Sequence, residues 1–330
     1  PPSSSNSPAN ETAASELWNA MIAPLTKFSI SAILWDQGEN NARYCTEEQY
    51  NCLFTTTMNH WRKTFSNEDI PVAWVQIGGY AISGTKNNSN IRFAQGDSLP
   101  EDTDQVFNNR TATTLVPRFP LEHSAMAATF DLGSPENQTL CDENPGTPYC
   151  WWIHCRNKSE VARRLARQLS HVWTSPSGQP VPESVEWSGP TVTSTKLVVG
   201  PTGLPVAQVT MTHASGLSLR PAQGCYLCCN QTASPPAPLA TGFVFEVANR
   251  KGQWLPAIGS VTEQSPTSAN AALLEIKPTA TVTCKNEDDC WLSAVRYAAL
   301  DIPQCALYNS DVIPATPFQF PLPWNKSAFS

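Results

Sequence analysis

The stretch SISAILWDQGEN, residues 29–40, decides the fold of the N-terminal half. Its first seven residues are mostly apolar and favour a buried strand, which the polar residues after it bring to an end. Comparable runs lie at 72–77 (VAWVQI) and at 125–130 (AMAATF), the second followed by Asp131. Mostly apolar strands of this kind are typical of a parallel sheet, whose functional groups gather beyond the carboxyl ends of its strands. The sequence therefore predicts polar groups of a site around Gln37 and Asp131.

Helical patterns surround these strands. Apolar residues recur at helical spacing over residues 15–25, 46–65 and 157–173, and each segment is long enough for a helix. We expect Leu17, Met21 and Leu25 on one face of the first helix. The positions expected to face inward in the other two helices are Tyr50, Leu53, Met58, Trp61, Val161, Leu165, Leu169 and Val172. The alternation of strand and helix predicts an α/β fold with a mostly parallel sheet.

The pattern changes near residue 175. Short β-rich runs separated by Gly, Pro and Ser follow at 196–199, 206–212, 242–247, 272–276 and 294–299. Such runs are typical of an antiparallel sandwich or jelly roll. We therefore expect three parts: a flexible arm at 1–14, an α/β domain at 15–175 and a β-rich accessory domain at 180–330.

Composition indicates a folded glycoprotein of the secretory pathway, either secreted or lysosomal. The net charge of −7 excludes a typical nucleic-acid partner, and no apolar run approaches the ~18 residues of a membrane span. Eleven cysteines accompany seven glycosylation sequons. The sequons are Asn10, Asn87, Asn109, Asn137, Asn157, Asn230 and Asn325. Residues 1–10 carry no signal-peptide pattern, so we expect the natural N-terminus to lie elsewhere.

The cysteine count is odd, so at least one thiol is expected to be free or bonded to another chain. Three short-range pairs are plausible, namely Cys45 with Cys52, Cys141 with Cys150, and Cys284 with Cys290. The cluster Cys225, Cys228 and Cys229 could be read as a metal knuckle, but no second ligand pair follows at zinc spacing. We therefore favour disulfides and expect no metal.

Three segments carry candidate chemistry. Gln37, Gly38 and Glu39 follow the first strand, where a fixed side-chain amide can donate to an oxyanion and Gly38 permits a tight turn. Asp131 follows the third strand, and His154 precedes the last helix of this half. A carboxylate and a histidine beside an oxyanion donor are parts of a hydrolytic triad that lacks its nucleophile.

Seven runs in order resemble the sialate O-acetylesterase family. They are LWNAMIAPL (17–25), AILWDQGENN (32–41), IRFAQ (91–95), FDLGSP (130–135), IHCRNKSEVARRLA (153–166), VRYAALDIPQCALYN (295–309) and PATPF (314–318). The resemblance implies an α/β domain of the SGNH hydrolase type, incomplete in this chain, with β-rich regions packed around it. By the same resemblance Gln37 matches the oxyanion-hole glutamine, His154 the catalytic histidine and Asp131 the acid.

The resemblance also implies a missing part. The family's serine lies in a Gly-Gln-Ser-Asn segment upstream of the LWNAM run, which is outside this sequence. We therefore expect the serine to come from an N-terminal chain of the same precursor, which a disulfide could join to this one. The implied function is removal of O-acetyl groups from sialic acid or a related glycan, without a metal or an organic cofactor.

Several alternatives stay open. Asn40 and Cys155 stand where the family has serine and proline, a glycan at Asn157 would crowd the site, and Asp142 or Glu143 could replace Asp131 as the acid. The pattern therefore leaves room for a non-catalytic extracellular module, sugar-binding or structural, derived from the same family.

Two further motifs have competing interpretations. Trp151 and Trp152 could form a platform for a sugar ring or simply pack in the core. Ser98 lies in a Gly-Asp-Ser-Leu run that resembles a hydrolase nucleophile box, but it follows the Gln37 segment instead of preceding it, which disfavours this role.

Overall fold

The fold is taken from a computed structural model, which describes residues 15–44, 46–79, 87–96, 121–132, 157–173, 186–201, 203–221, 244–264, 271–279, 292–301, 303 and 305–322. The predicted arm at 1–14 lies outside these residues. So does the predicted domain boundary, because residues 174–185 are not among them.

The N-terminal half is a three-stranded parallel sheet flanked by helices. Its strands, in the order β1-β2-β3, are β1 (Ile33–Trp35), β2 (Val72–Gln76) and β3 (Ser124–Ala128). The helices are α1 (Glu39–Arg43), α2 (Glu47–Thr64), α3 (Asn87–Gly96) and α4 (Lys158–Val172). Every residue of β2 and β3 is buried, as their mostly apolar character predicts. The predicted parallel α/β architecture is confirmed.

The predicted helix at 15–25 is wrong in form and in orientation. The chain makes a π turn, Trp18–Ile22, and then a 3₁₀ turn, Ala23–Lys27. Pro24 lies in the first turn of the second segment and has no backbone N–H to continue an α-helical ladder. Leu17, Met21 and Leu25 are 60%, 63% and 47% exposed, so the apolar face predicted to be buried is open in this chain.

Helix α2 matches its predicted range, with one position misplaced. Tyr50 and Met58 are buried as expected, whereas Leu53 is 54% exposed. Phe54, one position further on, occupies the core and packs against Trp74 of β2 with ring centroids 5.1 Å apart. The buried stripe of the helix therefore includes Phe54 instead of Leu53.

The C-terminal half is β-rich and antiparallel, as predicted. Its strands are β4 (Thr191–Val199), β5 (Pro205–Thr212), β6 (Ser218–Pro221), β7 (Phe245–Asn249), β8 (Trp254–Gln264), β9 (Ala272–Pro278), β10 (Leu292–Tyr297), β11 (Cys305–Tyr308) and β12 (Phe318–Pro321). Seven of them form one sheet in the order β12-β10-β7-β8-β9-β5-β4, and β6 pairs with β11.

The large sheet curls until its edge strands approach each other. Thr195 Oγ1 of β4 donates to the carbonyl oxygen of Pro321 in β12 over 2.9 Å. Closure of this kind removes exposed strand edges, which are otherwise prone to pair with other chains. The β-rich part is therefore a nearly closed single sheet rather than two facing sheets.

The two halves share one core. Ala128 and Phe130, at the end of β3, belong to the same buried cluster as the inner residues of the large sheet. The ring of Phe130 meets Tyr297 edge-on, with centroids 6.2 Å apart. The β-rich part thus covers the carboxyl end of β3, where the sequence predicts site residues.

The predicted pairing of Cys45 with Cys52 is wrong, because Cys52 is a free, exposed thiol on α2. Cys305 forms a disulfide whose partner lies outside the described residues, as do the other two predicted pairs and the cluster at 225–229. No helix among the described residues is long and apolar enough to cross a membrane.

Candidate active site

The loop after β1 is held in place by hydrogen bonds to one of its backbone carbonyl groups. The carbonyl oxygen of Gln37 accepts a hydrogen bond from the Tyr50 hydroxyl at 2.8 Å and another from Gln95 Nε2 at 3.1 Å. Both donors belong to helices, Tyr50 to α2 and Gln95 to α3, and both are buried. Burial raises the pKa of Tyr50 to about 12, so its hydroxyl keeps its proton and remains a donor at neutral pH.

The side chain of Gln37 is half-buried and oriented within the same loop. Its Nε2 donates to Asn41 Oδ1 at 2.7 Å, and Asn41 Nδ2 in turn donates to Thr46 Oγ1 at 2.9 Å. An amide nitrogen carries two protons, so this contact fixes the amide plane and leaves one N–H for another acceptor. The arrangement suits a donor to a developing oxyanion.

Gly38 is required by its surroundings. Its φ of 151° lies in a region that residues other than glycine rarely adopt. A Cβ at this position would lie 2.9 Å from Cγ2 of Ile77 and 3.1 Å from Nε2 of Gln95. Glu39 follows as the first residue of α1 and is half-buried. The turn therefore depends on glycine both for its φ and for the close approach of β2 and α3.

The carboxylate of Asp131 lies in a buried ion pair. Arg164 of α4 donates from Nη1 to Oδ1 at 2.7 Å and from Nη2 to Oδ2 at 2.8 Å. The Tyr308 hydroxyl of β11 donates to Oδ2 at 2.7 Å. The side chains of Asp131 and Arg164 are 1% and 2% exposed. Asp131 thus connects β3, α4 and the β-rich half, and this structural role accounts for the contacts it makes with the described residues.

A second carboxylate completes the cluster. Glu160 accepts two hydrogen bonds from Arg163 at 2.6 Å and one from Arg164 at 2.8 Å. Burial opposes ionisation of Glu160, but the two guanidinium groups outweigh it and lower its pKa. Burial also acts against the charge of Arg164, yet Asp131 and Glu160 raise its pKa. The cluster is therefore a charged, mutually neutralised network.

A surface contact links the loop after β1 to the start of α4. Lys158 Nζ, in the first turn of α4, lies 3.5 Å from Oδ2 of Asp36. Asp36 directly precedes Gln37, and Lys158 follows His154 by four residues. The contact therefore joins the Gln37 loop to the first turn of α4.

The remaining predicted site residues lie largely outside the described residues. These are His154, Trp151, Trp152, Ser98, Asp142 and Glu143, together with the sequons Asn10, Asn109, Asn137, Asn230 and Asn325. Asn87 begins α3, but its side chain is not described. Asn157 caps α4, and its Oδ1 accepts from the backbone N–H of Glu160 at 3.2 Å and from Ser159 Oγ at 2.9 Å.

Sequence reasoning gave no role to three buried polar residues of α3 and α4. Arg92 is fully buried and donates to the carbonyl oxygens of Leu300, Asp301 and Gly78. Burial lowers its pKa to about 10, although Asp301 opposes this shift. The other two are Gln95 and Arg164, described above. Arg92 and Gln95 stand three residues apart, one helical turn, and that spacing is the signal that could have marked them as one buried polar face.

No group of three or more metal-binding side chains occurs in the part of the chain that the structure describes. Gln37 provides an amide donor at the end of β1, which can donate a hydrogen bond to an oxyanion.

Comparisons with known proteins show similarity to carbohydrate esterases. Over 184 residues the chain is 32% identical to the sialate O-acetylesterases of Mus musculus and Homo sapiens, which covers 52% of this chain and 29% and 30% of those proteins. The chain thus spans less than a third of those relatives. A carbohydrate acetylesterase from Xanthomonas citri has the same fold, with a TM-score of 0.58 at 20% identity over 92% of this chain and 53% of that one. Residues 8–133 match the model of the family described as carbohydrate esterase, sialic acid-specific acetylesterase.

Proposed function

We propose that this chain is the C-terminal part of a serine esterase that removes O-acetyl groups from sialic acid or a related glycan. The observation that supports the proposal is the Asp36–Lys158 contact, which joins the Gln37 loop to the first turn of α4, and His154 precedes Lys158 by four residues in the sequence. The similarity to sialate O-acetylesterases supports the substrate class.

The proposed reaction has two steps. A serine hydroxyl from the upstream segment attacks the acetyl carbonyl carbon, and His154 accepts its proton. The tetrahedral intermediate collapses, and the glycan oxygen leaves with the proton from His154. A water molecule, activated by His154, then attacks the acetyl-serine and releases acetate. No metal or organic cofactor takes part.

Gln37 is proposed to donate its second amide N–H to the oxyanion of each tetrahedral intermediate. Asn41 fixes the amide, and Gly38 allows the turn that places it. Glu39 is proposed to orient this loop rather than to react.

Asp131 is proposed to orient His154 and to stabilise its charged form. The contact with Arg164 fixes the position of the Asp131 carboxylate. Asp142 and Glu143 are the alternatives. The variants Asp131→Asn, Asp142→Asn and Glu143→Gln separate them when activity is expressed per folded molecule. A loss at Asp131 that only follows the unfolded fraction would remove it from the catalytic set.

The upstream segment is proposed to pack on β1 as an N-terminal chain of the same precursor. β1 is at one edge of the sheet, and Leu34 in it is 60% exposed. Leu17, Met21 and Phe28, on the segment before β1, are exposed as well. An open edge beside exposed apolar side chains suits another strand and its cover. Trp151 and Trp152 are proposed to stack on the sugar.

The secretory pathway, with a secreted or lysosomal destination, is the proposed location. The seven sequons and the disulfide at Cys305 support it, since glycans and stable disulfides form there.

Labelling of the native protein with a fluorophosphonate tests the proposal. A labelled serine on a segment upstream of Pro1, together with acetate release from O-acetylated sialic acid, is the expected result. Label on Ser98 would overturn the assignment of the nucleophile. Absence of label from all chains would overturn the esterase and favour the non-catalytic sugar-binding or structural module.

Site variants give the second test. Gln37→Ala in the assembled protein should lower kcat by about a hundredfold or more, the usual effect of losing one oxyanion donor. Gln49→Ala, an exposed glutamine on α2, is the matched control and should leave kcat unchanged. Equal activity of both variants would exclude Gln37 from the oxyanion hole.

A further inference from the structure

A cleft of about 470 Å³ lies between the start of α4 and the two-stranded sheet β6–β11. Its volume falls within the range of about 300–1,000 Å³ that small-molecule sites occupy. The walls combine charged groups with two apolar side chains: Asp131, Leu132, Asn157, Glu160, Arg163, Arg164, Arg220, Tyr308, Asp311 and Val312. Such a lining suits a hydrophilic ligand better than a lipid.

The three arginines of the cleft differ in their charge balance. Arg164 is neutralised by Asp131, and Arg163 by Glu160. Arg220 forms no ion pair with any residue that the structure describes; its Nε donates to Ser218 Oγ at 2.7 Å, and its two Nη groups have no protein acceptor there. Among the described residues, Arg220 is thus a half-buried cation of the cleft without a paired carboxylate.

The strand pairing explains why Arg220 faces the cleft. In the β6–β11 ladder, Ser218 is opposite Tyr308 and Leu219 is opposite Leu307. Leu219 packs against the hydrophobic core, so its neighbour Arg220 lies on the other face, with Ser218 and Tyr308. Tyr308 marks that face as the one toward Asp131, to which its hydroxyl donates.

We propose that this cleft binds the carboxylate of an acidic sugar through the guanidinium of Arg220. A guanidinium fork matches a carboxylate with two parallel hydrogen bonds. Asp311 and Asn157 can accept from sugar hydroxyls, while Leu132 and Val312 offer apolar contact to a ring face.

A single negative charge fits the cleft better than a phosphate. Three carboxylates line it, and each would repel a dianion more strongly than a monoanion. A polyhydroxylated monoanion instead pairs with Arg220 and donates its hydroxyl protons to acceptors of the lining. The substrate class rests on the proposed function. The cleft borders Leu132, next to Asp131, and Asn157, three residues after His154.

The experiment is a binding titration of this chain with the α-methyl glycoside of N-acetylneuraminic acid, followed by NMR or calorimetry. The methyl ester of the same glycoside is the neutral matched ligand, and inorganic phosphate is the third probe. We expect the acid to bind at least about tenfold more tightly than the ester, because a charge-assisted pair is lost in the ester. Phosphate should bind more weakly than the acid.

Variants locate the interaction. Arg220→Gln should weaken binding of the acid by about tenfold or more and leave the ester unaffected, whereas Arg220→Lys should keep part of the affinity. Lys196→Gln, which removes an exposed cation from β4, is the matched control and should bind as the parent chain does. Circular dichroism checks that each variant is folded.

Several outcomes would overturn the proposal: no binding of the acid at millimolar concentration, equal affinity for acid and ester, tighter binding of phosphate, or unchanged affinity in Arg220→Gln. If that variant does not fold, the comparison of acid with ester on the parent chain decides. The probes carry no acetyl ester, so failure here leaves the fluorophosphonate test of the esterase untouched, and the reverse also holds.

Discussion

At the end of β1, Gln37 keeps a half-buried side chain whose only described hydrogen bond stays within its own loop, while its backbone carbonyl is held by two helices. At the end of β3, the situation is reversed: the carboxylate of Asp131 is 1% exposed and is fixed by Arg164 and Tyr308. Both residues follow buried parallel strands, so strand position alone does not determine how the residue at a strand end is held. The difference lies in whether the backbone or the side chain receives the supporting hydrogen bonds.

The largest expected effect comes from breaking the Asp131 ion pair. Asp131→Asn should lower the free energy of unfolding by about 3–5 kcal/mol, because Arg164 would remain buried and charged with only Glu160 as a counter-charge. Urea denaturation measures the change. In Asp131→Asn/Arg164→Met both charges are gone, and part of the stability should return. A loss below about 1 kcal/mol in the single variant would contradict the structural role.

Low pH should also reduce the stability that this cluster contributes, but by less than Asp131→Asn does. The pKa of Glu160 is lowered in the folded chain from its ordinary value of 4.5, so its contribution is complete above that pH and is lost as pH falls through the folded pKa. The urea midpoint of the parent chain should therefore decrease more between about pH 6 and pH 3 than that of Glu160→Gln. Identical decreases in both proteins would exclude Glu160 as a source of acid sensitivity.

Gly38→Ala tests how firmly the β1 loop is held. The added methyl group meets Ile77 and Gln95 at a φ of 151°, so we expect a loss of about 1–3 kcal/mol in stability and a displaced Gln37 amide. Gly203→Ala is the control: its φ is also positive, at 75°, but nothing lies within 4 Å of the added atom. Thermal unfolding of both variants separates the effect of crowding from that of backbone strain. An equal loss of stability in both would mean that crowding contributes nothing.

Tyr50→Phe removes one of the two donors to the Gln37 carbonyl. The expected loss is about 0.5–1.5 kcal/mol, because Gln95 still donates to the same oxygen. Faster hydrogen exchange of the amides in α1 would report a looser loop. Thr57→Val, which deletes an exposed hydroxyl contact to Leu53 on the same helix, should change neither quantity measurably. Unchanged exchange in Tyr50→Phe would show that Gln95 alone holds the loop.

The smallest effect is expected at the surface contact between the Gln37 loop and α4. Asp36→Asn should change stability by about 0.2–1 kcal/mol at low salt and less at high salt, since the paired side chains are 46% and 63% exposed. Chemical denaturation at two salt concentrations measures it. A large, salt-independent loss would mean that this contact supports the fold rather than only reporting proximity.

Much of the fold could be predicted from local pattern. The strands at 72–76 and 124–128 and the helices at 47–64 and 158–172 lie close to their predicted positions, because apolar periodicity is a property of neighbouring residues. The helix predicted at 15–25 is wrong, because apolar periodicity does not show whether another element covers those residues. In α4 the buried stripe includes Arg164 and Gln168, which polarity alone assigns to solvent.

For the candidate site, the sequence alone predicted where the strands end. Gln37, Gly38 and Asp131 follow buried runs, and the ends of parallel strands bring such residues to the same edge of the sheet. Only the tertiary structure decided which groups meet there. Arg164 and Tyr308 lie 33 and 177 residues from Asp131 along the chain, and Arg92 reaches Leu300 across 208. Contacts over such separations depend on how whole elements pack, and no local pattern encodes them. The free thiol of Cys52, the closure of the large sheet and the lack of an ion pair at Arg220 among the described residues belong to the same category, because each depends on what the rest of the fold places nearby.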